Sequence, residues 1–197
     1  MIRKTHVPCN LCGSERYAEL YPDELHGDRP RVDYDFMPHA RRTYRIVKCD
    51  SCGLIFTNPM PALQASYAET EDEIYLNSRP QRLKTAERCV ERIRQHKKDG
   101  RLLDVGCSTG VLLDAASRHF DVEGVELSEW ALAQASIRHK VHSRSLRELD
   151  LDQQYDVVTL MGVIEHFEEP TKEIRAIQRA MKPGGLFVVY TGDVDAW

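Results

Sequence analysis

From Gly100 onward the sequence alternates between short apolar runs fit for buried strands and stretches with helical spacing. "RLLDV", "VEGVEL", "KVHS", "YDVVTLMGV" and "GLFVVYT" read as strands. "GVLLDAASRHF", "SEWALAQASIRH" and "PTKEIRAIQRAM" read as helices, with "RSLRELDLDQQ" as a loop and turn. Strands that are apolar on both sides have no face to give to water, so they need a parallel sheet covered on both faces. Right-handed crossovers then make that sheet doubly wound. A length of 197 residues leaves room for one such domain and an appendage.

The appendage is written in cysteines. Cys9 and Cys12 are two residues apart, and so are Cys49 and Cys52, with 36 residues between the pairs. A two-residue gap lets both thiolates of a pair point at one ion, and the glycine after each pair, Gly13 or Gly53, permits the tight turn whose amides stabilise the sulfurs. The doubled spacing predicts a closed, tetrahedral, structural Zn2+ site made by Cys9, Cys12, Cys49 and Cys52, against buried free thiols or a redox pair. Four thiolates fill the shell, which leaves His6 as a surface residue. "RVDYDF" and "RTYRIVK" read as short strands joined by "MPHAR", so residues 1–60 form a small β lobe.

Residues 61–99 form a connector, acidic and punctuated by proline, with one short helix followed by a longer one. Ser78 is placed as N-cap, Pro80 in the first turn and Gln81 at the capping-box position. Leu83, Ala86, Val90 and Ile93 give this helix one apolar stripe, and Asp99-Gly100 ends it. Its other face carries Arg82, Lys84, Arg88, Arg92, Arg94, Lys97 and Lys98. That face reads as a solvated surface partly paired with Glu87 and Glu91, the alternative being a grip on an anionic substrate or RNA.

Hydrophobic residues make up 42% and charged residues 29%, the balance of a soluble globular chain. The net charge of -4 supplies no global drive toward nucleic acid. "GLFVVY" is far too short to span a bilayer, and "MIRKTHVPCN" lacks the apolar core of a signal peptide, so a cytoplasmic address is expected.

Asp104, Gly106, Ser108 and Gly110 stand together where the first strand of the alternating region gives way to a helix. Glycines there let backbone approach a ligand, and the next helix presents free amides. Glu126 ends the second strand, 22 residues after Asp104, where a carboxylate accepts hydrogen bonds from both ribose hydroxyls of a nucleoside cofactor. The glycines of "GCSTG" are four apart, which is not the dinucleotide fingerprint, and no phosphate-binding lysine follows. The pocket therefore suits a nucleoside without phosphates.

"LLDVGCSTG", "GVEL", "YDVVTLMGVIEHFEEP" and "MKPGGLFVV", in this order over residues 101–191, resemble the motifs of class I S-adenosylmethionine-dependent methyltransferases. The N-terminal lobe resembles that of zinc-ribbon members, some of which methylate sugars or other natural-product precursors. The resemblance implies a Rossmann-like α/β core over residues 100–197 with S-adenosyl-L-methionine as cofactor. It implies that the loop from Asp104 through Gly106, Cys107 and Ser108 to Gly110 cradles the methionyl end and that Glu126 holds the ribose. It sets Leu127 on the adenine with Ser145 or Leu146 on its other side, and Met161, Gly162 and Val163 under the sulfonium. Ser108 replaces a glycine common in relatives, and Cys107 reads as a small loop residue, not a nucleophile. In some relatives a Glu-x-x-Glu-His run binds a divalent cation; here Gly162 takes the first position and leaves Glu165 and His166. His166 is then the candidate base for an acceptor hydroxyl, or else it orders the start of the next helix.

The family fold runs seven strands, and this chain stops just after the fifth, so a core truncated at its C-terminus is expected. The fifth strand, Leu186–Thr191, is then an open edge at which a second copy could pair. The expected partner is a small-molecule methyl acceptor such as a sugar or polysaccharide precursor. Zinc-containing RNA methyltransferases share the layout, but the acidic balance and the lack of an aromatic-basic stripe in the lobe argue against nucleic acid. A non-catalytic interaction module is the third alternative, weakened by the presence of both Asp104 and Glu126.

Overall fold

The computed structural model describes residues 4–24, 44–61 and 71–192. The chain divides into two compact units, Met1–Tyr67 with Glu168–Thr171, and Ala68–Phe167 with Lys172–Trp197. The expected strand "RVDYDF" and its connection "MPHAR" lie outside the described residues.

In the first unit, β2 (Tyr17–Tyr21), β3 (Ile46–Cys49) and β4 (Ile55–Thr57) form an antiparallel sheet in that order, while β1 (Lys4–Thr5) pairs antiparallel with β5 (Met60–Pro61). Asn58 is buried because its amide completes a strand-like pair: Nδ2 donates to the Val7 carbonyl and Oδ1 accepts from the Val7 amide, both at 3.2 Å. Asn10, between the first two cysteines, donates from Nδ2 to the Glu168 carbonyl at 3.3 Å, and its own carbonyl accepts from Thr171 Oγ1 at 2.6 Å. These bonds account for the return of Glu168–Thr171 to this unit.

The second unit begins with α1 (Glu73–Asn77) and α2 (Arg79–Arg94), then alternates β6 (Arg101–Val105), α3 (Val111–Ala116), β7 (Asp121–Val125), α4 (Glu129–Ser136), β8 (Lys140–His142), β9 (Tyr155–Met161), α5 (Pro170–Ala180) and β10 (Met181–Tyr190). All sheet pairs are parallel, in the order β10-β9-β6-β7-β8. Side chains alternate faces along a strand. Leu102 and Val157 therefore pack with Ala86, Val90 and Ile93 of α2 and Leu113 of α3, while Leu103, Val158 and Leu160 pack with Ala176 and Ile177 of α5. The sheet is covered on both faces, as its apolar strands demand. β10 lies at one edge among the described strands, and Val189 and Tyr190 at its end are exposed.

Some local expectations need correction. Ser78 holds the N-cap position of α2 without a side-chain capping bond, because its hydroxyl donates to the Tyr75 carbonyl at 3.0 Å and accepts from Arg82 Nε at 2.8 Å. The capping box with Gln81 does not form. α2 ends at Arg94, before Asp99-Gly100, and β10 begins at Met181, earlier than "GLFVVYT", with a register shift between Met181 and Leu186. Among the described residues no helix is long and apolar enough to cross a membrane.

Candidate cofactor site and metal centre

The first candidate site lies at the carboxyl ends of β6, β7 and β9, where open parallel sheets take ligands. After Val105 the chain turns back on β7, with the amides of Gly106 and Cys107 both donating to the Val125 carbonyl at 2.8 and 3.0 Å. Gly106 has φ +74, and a Cβ there would meet Val163 Cγ2 at 2.5 Å. That clash shows how closely the segment after β9 approaches the loop. Thr109 Oγ1, in the same loop, is buried without a hydrogen-bond partner.

Cys107 is buried against β7, where a Cβ on Gly124 would come within 2.5 Å of its sulfur. Burial, with the charges of Asp104 and Glu126 nearby, pushes its thiol far up, so no reactive thiolate is offered. Asp104 is buried and accepts a 2.7 Å hydrogen bond from Thr159 Oγ1. Burial pushes its carboxyl up to about 7; the Thr159 bond works against this and the Glu126 charge adds to it.

Glu126 holds the loop together. Its Oε2 accepts from the Ser108 amide, and its Oε1 from the amides of Leu127 and Ser128, all at 2.8 Å. The carboxylate is thereby fixed at the end of β7, and Oε2, which accepts a single amide, keeps acceptor capacity for a ligand hydroxyl. Leu127 beside it is 40% exposed, an apolar side chain open to a flat partner.

The structure brings Asp104, Gly106, Cys107, Ser108, Gly110 and Glu126 together and sets Val163 against them; Met161 ends β9 and packs on the cluster that contains Cys107. Gly162, at φ +70, donates its amide to the Tyr190 carbonyl at 2.7 Å. Ser145 caps the short 3-10 turn Leu146–Glu148, its hydroxyl donating to Glu148 at 2.7 Å, and the Leu146 side chain is committed to the core beside Val125. His166 is exposed in a second 3-10 turn, Ile164–His166, and its amide donates to the Val163 carbonyl at 2.9 Å.

Sequence reasoning passed over the residues that fasten this loop from outside. Asp114, in the first turn of α3, accepts from Arg138 Nε at 2.9 Å, from His139 Nε2 at 2.7 Å and from Arg79. Arg138 also donates to the Thr109 carbonyl at 2.9 Å. Burial opposes ionisation of Asp114, but hydrogen bonds from Arg138, His139 and Arg79 outweigh it and hold the carboxyl below its usual range. Tyr75 of α1 packs on the α2–α3 side of the core, its ring 3.8 Å beneath the Arg82 guanidinium. The one signal was an aromatic residue inside an acidic connector.

The candidate metal centre is built from two like knuckles. In each, the first cysteine's carbonyl accepts from the glycine amide (Gly13 at 2.8 Å, Gly53 at 3.0 Å), and its amide donates to a carbonyl past that glycine (Ser14 and Leu54, both 2.9 Å). Gly13 and Gly53 take φ +74 and +78, which closes the turn. The four sulfurs lie within 4.8 Å of one another, with Cys9–Cys52 and Cys12–Cys49 at 3.5 Å, and none is in a disulfide. A tetrahedron of zinc–sulfur bonds about 2.3 Å long has edges of about 3.8 Å, so the donors fit such an ion. The Cys49 thiol is drawn down to about 6, first by the Cys52 amide, with burial opposing and the Ser51 amide assisting.

A family model described as a methyltransferase domain matches residues 77–196. The ubiquinone biosynthesis O-methyltransferase of Pseudomonas entomophila (strain L48) is 35% identical over 96 residues, 43% of this chain and 41% of that protein. The sugar N-methyltransferase KedS8 from Streptoalloteichus sp ATCC 53650 superposes with a TM-score of 0.56 at 28% identity, covering 64% of this chain and 55% of that one. SAM-bound CalS10, an amino pentose methyltransferase from Micromonospora echinaspora, gives a TM-score of 0.55 at 28% identity, covering 64% and 59%. The chain spans about two-fifths of the length of the curated relatives it matches.

Proposed function

The chain belongs to the methyltransferase-domain family, and on that premise we propose that it transfers a methyl group from S-adenosylmethionine to a small molecule. The observation that carries this reading is the convergence of the Asp104–Gly110 loop, the fixed Glu126 carboxylate and Val163 at the carboxyl ends of three parallel strands. The small-molecule acceptor draws support from similarity to an O-methyltransferase of ubiquinone biosynthesis and to two sugar methyltransferases. A sugar or a natural-product or polysaccharide precursor is the class we favour.

S-adenosylmethionine, when bound, supplies a methyl carbon made electrophilic by its sulfonium. The residues of the chain then have three tasks. Glu126 would accept a ribose hydroxyl at Oε2, and its grip on the Ser108 amide keeps the loop in one shape while it does so. The loop from Gly106 to Gly110, held by Asp114 and Arg138, admits the methionyl end; Met161, Gly162 and Val163 line the side from which the acceptor approaches. Holding the reacting atoms in line can be worth ~7–11 kcal/mol of barrier. His166, exposed three residues after Val163, is the side chain we assign to take the proton from an acceptor hydroxyl.

The four cysteines we assign to zinc. A closed thiolate shell has no open position for substrate, so the ion is structural.

The test is methyl transfer from labelled S-adenosylmethionine to phenol and amino-sugar acceptors by the 197-residue chain. Label is expected in product. His166→Ala should lower kcat by about 10²-fold or more at unchanged cofactor affinity for a hydroxyl acceptor; an unaltered kcat removes His166 from the chemistry.

A further inference from the structure

The cofactor loop is held in a shape that its own sequence resists. Ser108 sits at φ +47, in the left-handed region that a residue other than glycine keeps only where its surroundings impose it. From one side Glu126 Oε2 takes the Ser108 amide at 2.8 Å. From the other, Arg138 Nη2 donates to the carbonyl of the next residue, Thr109, at 2.9 Å.

The rest of the Arg138 fork is committed to protein oxygens. Nε donates to Asp114 Oδ1 at 2.9 Å and Nη1 to the Gln134 carbonyl at 3.4 Å, which fixes the plane from which Nη2 reaches the loop. Asp114 is anchored in turn: His139 Nε2 shares Oδ1 at 2.7 Å, and Arg79 of α2 pairs with Oδ2. Packing supports the same contact. Gly110, which ends the loop at φ +79, lies so close that a Cβ there would meet Ala135 Cβ at 3.3 Å and His139 Cδ2 at 3.4 Å. The end of α4 and the residues just after it are therefore the wall against which the loop is set.

We infer that Arg138 pre-sets the cofactor loop: by holding the Thr109 carbonyl against the Asp114 anchor, it sets the affinity for an S-adenosylmethionine-type ligand and not the rate of methyl transfer. A loop ordered before the ligand arrives loses less binding energy to being ordered. Arg138 is a positioning residue. Its affinity role rests on the cofactor reading above; the holding of the loop does not.

The test compares the 197-residue wild type with Arg138→Met, Arg138→Lys and Arg101→Met. Methionine keeps the stem and loses the fork. Lysine gives Asp114 a cation without the planar fork that reaches Thr109 as well, and it guards against a variant that does not fold. Arg101→Met is the stability control, since Arg101 pairs with Glu123 and Asp121 at the start of β6, the end opposite the loop. Without ligand, the Ser108 and Gly110 amides should exchange about 3- to 10-fold faster in both Arg138 variants and at the wild-type rate in Arg101→Met. The dissociation constant of S-adenosylhomocysteine should rise about 10-fold in Arg138→Met, about 3-fold or more in Arg138→Lys, and stay unchanged in Arg101→Met. In turnover, KM for S-adenosylmethionine should rise likewise in Arg138→Met at unaltered kcat.

An equal loss of affinity in Arg101→Met marks a general effect of stability and overturns the proposal. So does full affinity in Arg138→Lys, because a charge for Asp114 would then suffice, and so does a lower kcat at unaltered KM. If the wild type binds no S-adenosylhomocysteine, the cofactor reading and the affinity role fall together, and the exchange contrast judges the holding of the loop by itself. Unmoved exchange of Ser108 and Gly110 in the Arg138 variants overturns that holding.

Discussion

Among the described residues of the first unit, burial amounts to Val47, Asn58, the Pro61 ring and the thiols of Cys9 and Cys49, whereas the second unit buries a hydrophobic cluster on each face of its sheet. Both units are β-containing, yet they answer chain entropy differently. The sheet of the second unit is held by the same apolar strands that define it, and its site sits on top of a core that would exist without a ligand. The first unit has four sulfurs where a core would be. Small lobes of this kind owe their stability to a cross-link, and metal binding in them is folding energy.

The largest expected effect breaks the comparison at its weaker side. Removing with a chelator the zinc that we assign to the four cysteines should withdraw on the order of 10 kcal/mol from the lobe. Amides of β2, β3 and β4 should lose exchange protection while those of β6 and β9 keep theirs. A lobe that stays protected with its metal gone would show that its own packing suffices.

Next, Leu113→Ala attacks the other unit. Leu113 is fully buried, and its truncation should cost about 2–5 kcal/mol. Denaturant midpoints should fall, with zinc content unchanged at one ion per chain. Loss of zinc together with the core would mean that the two units do not stand separately.

A third effect sharpens the comparison through pH. Glu123 on β7 is buried, and burial opposes its ionisation, but bonds from His142, Lys140, Arg101 and Tyr155 hold it near 2. Its folded value lies below its unfolded one, so its contribution is complete above about 4.5 and is lost as pH falls toward 2. On the order of 2–3 kcal/mol should go over that window. Asp104 has the opposite sign. Its carboxyl is raised from 3.8 to about 7, so the folded form holds a proton that the unfolded form has released, and stability declines as pH rises between those values. Urea midpoints across pH should show both limbs. Glu123→Gln should flatten the acid limb and Asp104→Asn the neutral one.

How far the sequence could be read differs between the units for the same physical reason. Period and spacing are local, so the alternation after Gly100, the knuckles and the position of Glu126 were all visible in one dimension. The clamp on Asp114 was not, because Arg79 and the Arg138–His139 pair reach it from two segments far apart in sequence. Nor was the fate of the Ser78 hydroxyl, which a capping rule gives to α2 and tertiary packing gives to Tyr75 and Arg82. The triple amide grip of Glu126 was hidden too: an acidic residue ending a strand advertises a ligand, and nothing in the string says that the loop will fold back onto it.

The central claim is that the pocket above β6 and β7 takes S-adenosylmethionine through Glu126. Calorimetric titration with S-adenosylhomocysteine tests it most directly. One site per chain is predicted, with no comparable affinity for NAD, and Glu126→Ala should weaken binding by roughly 1.5–3 kcal/mol through lost charged hydrogen bonds. Equal affinity for NAD, or binding that Glu126→Ala leaves unchanged, would contradict the assignment.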